Sequence, residues 1–208
     1  MLRLVIATTS RDKLREIRGL LAHLPIDLVS LRDFPAVPEP DETGTTFEEN
    51  ARIKAREYDR TVTQPAATVQ GGPLYTVAED SGIVIDALDG EPGVYSARFL
   101  RPDATYPERF AEIYRRLAER PDAPRTTRFV CAVAVVHAGV VLYETQGTVE
   151  GEIAPVPDGA HGFGYDPIFY YPPYGKSLAA VSEEDKLRVA HRGEAFRTLA
   201  SWLGNRGM

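Results

Sequence analysis

The chain opens on an apolar run, "LRLVIAT", continues with Leu14, Ile17, Leu20 and Leu21 at helical spacing, and returns to a second apolar run, "IDLVSL". A strand, a helix and a strand in that order constrain the fold more than any later feature. Such a unit places helices over the faces of a sheet, so the remaining chain must extend that sheet or cover it. The pattern downstream agrees. An amphipathic helix is expected from about Thr46 to Tyr58, and a loop containing "QPAATVQGGP" follows it. "LYTVAEDSGIVIDAL" reads as a strand broken by a turn, Tyr106 to Ala118 is helical in period, and "TRFVCAVAVVHAGVVLYETQGTV" reads as two long strands joined at Ala138-Gly139. From Ser182 to Leu203 the chain is expected to be helical. The fold class is therefore α/β, an elongated mixed β-sheet flanked by helices. We expect one domain over residues 1–208, built as two lobes with the second lobe formed on the long hairpin.

Charge and cysteine content exclude several functions. A formal net charge of −6 argues against a nucleic acid polymer as partner, so any anion must be met by a local cluster of positive charge. No window approaches a membrane span, and the first apolar run is too short for a signal-peptide core, so a cytoplasmic location is expected. The single cysteine, Cys131, lies in the apolar run "FVCAVAVV" and is expected to be a buried structural thiol. Of the 24 basic residues only Lys13, Lys54, Lys176 and Lys186 are lysine. A chain that prefers arginine this strongly keeps lysine where a compact point charge is useful.

Four segments carry candidate chemistry. "ATTSRDK" ends a strand and opens a helix, which makes it a candidate anion seat; Arg11 and Lys13 place positive charge in the first helical turn, where an anion would relieve it. In "ETGTTFEENARIKA", Lys54 lies along a mostly apolar stripe, Glu49 fits a capping box with Thr46, and Glu42, with no capping duty, is the better ligand. "YTVAEDSG" ends an apolar strand in two carboxylates. Glu79 and Asp80 share a site only if a turn begins between them. Hard carboxylate oxygens suit Mg²⁺, the usual companion of a polyphosphate. The fourth, "SEEDKLRVAHRGEAF", brings Lys186, His191 and Arg192 late enough to face a ligand. A fifth stretch, "HGFGYDPIFYYPPYGK", is a shaped loop rich in aromatic residues: either the rings plug a core or some form a surface on which something planar stacks.

Taken together, "ATTSRDKLREI", "ETGTTFEENARIKA", "AEDSGIVIDALDGEPGVYSAR", "GFGYDPIF" and "EEDKLRVAHRGEAF", in this order, resemble the inosine triphosphate pyrophosphatase family, the Ham1-like house-cleaning enzymes. The resemblance spans nearly the whole chain. It implies hydrolysis of non-standard purine nucleoside triphosphates (ITP, dITP, XTP) to the monophosphate and pyrophosphate, with Mg²⁺ required, by a homodimer whose site lies in the cleft between two lobes. By the same resemblance Thr8, Thr9, Ser10, Arg11, Asp12 and Lys13 cradle the phosphates and Lys54 adds charge there. Glu42 and Asp80 serve the metal. Asp80 is also the implied proton acceptor for the attacking water, Glu79 supports it, and Ser81 contacts substrate. Phe163 and Tyr165, with Gly164 between them, sandwich the base; Asp166 orders that pocket; Lys186, His191 and Arg192 read the base edge. Phe169 to Tyr171 then go to core. Thr9-Ser10 stands where family members commonly carry Gly-Asn, and the stretch near Pro65 to Pro73 makes a longer loop. Two alternatives stay open: a Maf-like pyrophosphatase with another base preference, which "TTSRDKLREIRGLL" faintly resembles, and a nucleotide-binding module that does not hydrolyse.

Overall fold

The structure is a computed structural model that describes residues 2–66 and 73–205. Strand β1 (Leu2–Ile6) leads into helix α1 (Arg11–Leu21), which starts where Ser10 Oγ accepts the Lys13 N–H at 3.3 Å. Strand β2 (Ile26–Ser30) returns parallel to β1, with Leu4 opposite Leu28. Helix α2 (Phe47–Tyr58) begins at a reciprocal capping box between Thr46 and Glu49 and passes into one wider turn, Asp59–Thr63. Strand β3 (Leu74–Ile85) pairs with β1 in parallel. Helix α3 (Tyr106–Ala118) is capped by Thr105 and Glu108, and strands β4 (Thr126–His137) and β5 (Val140–Ile153) follow. Their two-residue turn needs positive φ at both positions, met by Ala138 (49°) and Gly139 (80°). Short antiparallel strands β6 (Phe169–Tyr171) and β7 (Lys176–Ser177) precede helices α4 (Glu183–Val189) and α5 (His191–Asn205). The seven strands form one mixed sheet in the order β2-β1-β3-β4-β5-β6-β7.

The chain divides into two compact units. The first comprises residues 1–80, 131–147 and 192–208, and the second residues 81–130 and 148–191. In the first, Leu4, Ile6, Val77, Cys131, Val133 and Val135 of the sheet pack against Leu14, Ile17 and Leu21 of α1 and Phe196, Leu199 and Leu203 of α5. In the second, Ile83 and Ile85 pack with Phe110, Ile113 and Leu117 of α3, and with Phe129, Ile168 and Phe169.

Two expectations are corrected. Strand β3 runs unbroken through Glu79, Asp80, Ser81 and Gly82, because both of its ends are buried sheet and Gly82 has no side chain to obstruct it: a Cβ there would lie 2.3 Å from Ser96 Oγ. The C-terminal run is two helices, divided at Ala190, whose ψ of 151° is extended. Of the longer loop expected near Pro65 to Pro73, residues 67–72 lie outside the described residues.

Candidate active site

Because β3 is continuous, its side chains alternate between faces of the sheet. Val77 and Glu79 point toward α1 and α5; Thr76 and Asp80 point toward α2 and the turn after it. Glu79 and Asp80 are neighbours in sequence with separate surroundings, because the turn between them that sharing one face would require is not formed.

Glu79 sits in a buried ion cluster. Arg192 donates from Nε to its Oε2 at 3.0 Å and from Nη2 to its Oε1 at 3.1 Å, and from Nη1 to Glu16 Oε2 at 2.7 Å. Lys13 Nζ lies 3.2 Å from Glu79 Oε1, and the Cys131 thiol donates to Oε2 at 2.8 Å. Burial alone would raise the Glu79 carboxyl, but the charges of Arg192 and Lys13 outweigh it and hold the group well below the usual carboxylate range. The same burial, with Glu79 alongside, pushes the Cys131 thiol well up, which suits the structural role expected of it. Arg192 was expected at a base edge. Its guanidinium is instead 2% exposed and committed to two carboxylates, so it acts on Glu79.

On the other face, Lys54 Nζ donates to Asp80 Oδ1 at 2.8 Å and to Glu42 Oε1 at 3.0 Å. Desolvation would lower this lysine, yet the two carboxylates hold its pKa above the ordinary value, so it is an ammonium at neutral pH. Asn50, one helical turn before Lys54, donates from Nδ2 to Asp80 Oδ2 at 3.3 Å. Glu49 is occupied by its cap, accepting from Thr45 N, Thr45 Oγ1 and Thr46 N.

At the start of α1, Thr8 Oγ1 accepts the Ser10 N–H and Ser10 Oγ the Lys13 N–H, while Asp12 accepts from Arg15 at 2.7 Å. Thr9 and Arg11 are exposed. Ser81 is half-buried on β3.

In the second unit, Asp166 Oδ2 accepts the Phe163 N–H at 2.8 Å and Lys186 Nζ at 2.6 Å, and that ammonium stands 4.7 Å from the centre of the Phe163 ring. Gly162 makes this possible: at φ 69° any Cβ would lie 2.2 Å from Asp166 Oδ2. Asp166 thus orders the loop, and Lys186, expected at a base edge, is buried on Asp166. Gly164 also takes φ 69° and leaves Phe163 half-buried. Tyr165 does not join Phe163 in a sandwich. Its ring is packed edge-on to Tyr106 at 5.3 Å within the core, its hydroxyl donates to Ser96 O at 2.8 Å, and burial pushes its pKa up. His191 is buried with its ring stacked on Phe129 at 4.8 Å. Of Phe169 to Tyr171, Phe169 is core and the two tyrosines are half-buried.

The sequence profile of the Ham1 family matches residues 4–202. This chain belongs to the Ham1 family. A dITP/XTP pyrophosphatase of Geobacter sulfurreducens is 43% identical to it over 208 residues, 100% of both chains. One from Exiguobacterium sp. is 42% identical over 198 residues, 95% of each. The solved HAM1 protein of Coxiella burnetii is 36% identical, with a TM-score of 0.87 over 99% of this chain and 100% of that one.

Within this Ham1-family chain, sequence reasoning missed Glu16 and Asn50. Glu16 stands as a carboxylate inside the apolar stripe of α1, between Leu14 and Ile17, which is the signal that finds it. Asn50 precedes Lys54 by four positions and so shares its helix face.

The Glu79 cluster predicts a pH dependence. A carboxyl held below its ordinary value of 4.5 contributes stability in full above that value, and loses it as the pH falls further, because the unfolded chain takes up the proton first. Melting temperatures between neutral and acidic pH should fall more steeply below about pH 4.5 for the wild type than for Glu79→Gln. Parallel curves would mean that Glu79 carries no such shift.

Proposed function

We propose that the chain hydrolyses non-standard purine nucleoside triphosphates (ITP, dITP and XTP) to the monophosphate and pyrophosphate, removing them from the nucleotide pool. Full-length likeness to curated dITP/XTP pyrophosphatases supports the substrate class. The observation that carries the chemistry is the meeting of Glu42 and Asp80 on one ammonium, Lys54 Nζ, at 3.0 and 2.8 Å.

Mg²⁺ fits this pair. Two carboxylate oxygens converge on one cationic centre, Lys54 Nζ. One or two carboxylates, with phosphate oxygens and water completing the shell, are how Mg²⁺ is usually held. Glu42 and Asp80 would hold it, and when bound it supplies charge neutralisation to the polyphosphate. Asp80 accepts a proton from the water that attacks the α-phosphorus as the bond to the bridging oxygen breaks. Lys54 holds and aims Asp80, and Lys13, anchored by Glu79, places positive charge at the start of α1 for the departing pyrophosphate. No covalent nucleophile is needed. Phe163, held by Asp166 and Lys186, offers the ring on which a base stacks.

A homodimer in the cytoplasm belongs to the same reading. Tyr95, Leu100 and Tyr106 are exposed apolar groups in one short stretch, which supports a covered surface there. No described helix is long and apolar enough to cross a membrane.

The test is a panel of ITP, dITP, XTP, GTP, ATP and pyrimidine triphosphates with Mg²⁺, scored for pyrophosphate against orthophosphate. Pyrophosphate release preferring ITP, dITP and XTP is expected. A pyrimidine preference would return the chain to a Maf-like specificity, and nucleotide binding without release would make it a binding module.

A further inference from the structure

We infer that Asn50 is a positioning residue for Asp80 and for the segment carrying Glu42, a role that rests on the function proposed above. Asn50 is 0% exposed in the middle of α2, where asparagine is a mediocre helix former and a buried amide must find partners for its donors and acceptor. Its side chain is held from both ends. Oδ1 accepts the Gly44 N–H at 2.8 Å, and Nδ2 donates to Asp80 Oδ2 at 3.3 Å. Neither end could be reversed. A backbone N–H only donates, so the atom facing Gly44 must be the carbonyl oxygen, and the atom left to face Asp80 Oδ2 is then the NH₂.

The second half of the device is Lys54, at i+4 on the same helix face. Lys54 Nζ takes Asp80 Oδ1 while Asn50 Nδ2 takes Oδ2, so α2 fixes both oxygens of the carboxylate and thereby its rotation. Lys54 also takes Glu42, and Asn50 takes the backbone of Gly44 two residues later. Both carboxylates are therefore registered against one helix by one amide and one ammonium. The tight approach at Gly44 supports this. A Cβ there would lie 2.7 Å from Asn50 Oδ1 and 2.6 Å from Glu49 Cβ, so the segment sits against Asn50 only because position 44 has no side chain. A carboxylate that must accept a proton in one direction loses rate when it rotates freely, even with its charge intact.

The experiment compares Asn50→Asp, Asp80→Asn and the double variant. Asn50→Asp keeps an acceptor for the Gly44 N–H but sets a second carboxylate against Asp80. We expect kcat for ITP to fall by about tenfold or more, KM to change by less than about threefold, and the melting temperature to drop. Adding Asp80→Asn should recover the melting temperature without recovering kcat, since donor and acceptor are then exchanged across the same contact while the catalytic carboxylate is lost. If Asn50 merely braced the Gly44 backbone, Asn50→Asp would keep wild-type kcat and melting temperature, and that result overturns the proposal. Failure of the double variant to regain stability overturns it too. Should the wild type release no pyrophosphate from any nucleotide, the proposed function fails by itself, and the melting arm still decides the Asn50–Asp80 contact.

Discussion

Asp80→Asn should lower kcat for ITP by roughly 10²–10⁴-fold, while equilibrium binding of nucleotide changes by less than about 1.4 kcal/mol. On the proposed reaction, the substitution preserves shape and removes the charge that would attract a metal and receive the proton from water. Its structural cost is visible in the surroundings. Lys54 Nζ faces one oxygen and Asn50 Nδ2 the other, so the new NH₂ meets a donor in either orientation. One buried donor then goes unpaired, at about 1–3 kcal/mol of stability. A chevron or urea titration beside single-turnover kinetics separates the two effects. Turnover close to wild type in a folded Asp80→Asn protein would remove Asp80 from the reaction and leave Glu42 as the carboxylate to examine.

What the sequence disclosed was governed by local rules. The helices begin where hydroxyl caps stand, at Ser10, Thr46 and Thr105, and the hairpin turns at Ala138-Gly139, because these features depend on a few adjacent residues. Lys13, Lys54 and Lys186 each pair with a buried or half-buried carboxylate, whereas Lys176, the fourth lysine, is exposed on β7. The fates of Glu79 and Arg192 were not legible: their contact spans 113 positions and depends on how α5 lies against β3 within the first unit. The placement of Tyr165 was not legible for a related reason. Its neighbours Phe163 and Asp166 suggest a common surface, but the partner that draws the ring into the core is Ser96 O, in a segment with no local sign of that contact. The turn expected to break this strand came from the Ser-Gly that follows the two carboxylates. In the structure Gly82 makes room for Ser96 while the strand continues.

Removing the Arg192 guanidinium should produce the largest stability loss of any single substitution discussed. Arg192→Ala removes the guanidinium from both Glu79 and Glu16, whose side chains are 2% and 1% exposed, and leaves Lys13 facing Glu79. An uncompensated buried charge of this kind costs about 3–5 kcal/mol, read as a fall in the urea midpoint at unchanged slope. Arg192→Lys should recover part of it, because an ammonium keeps the charge but cannot fork between two carboxylates as the guanidinium does. On the proposed function Lys13 would link this cluster to the triphosphate: when Glu79 loses its partner, the lysine is drawn more tightly to it. The loss in kcat/KM should therefore fall on ITP, XTP, GTP and ATP by one common factor, since all four carry the same triphosphate. A loss confined to ITP, XTP and GTP would mean that the guanidinium leaves Glu79 to donate to a 6-keto oxygen, which adenine lacks. A stabilising second substitution, Glu79→Gln in the Arg192→Ala background, provides the internal control: neutralising the stranded carboxylate should raise the urea midpoint above that of Arg192→Ala alone.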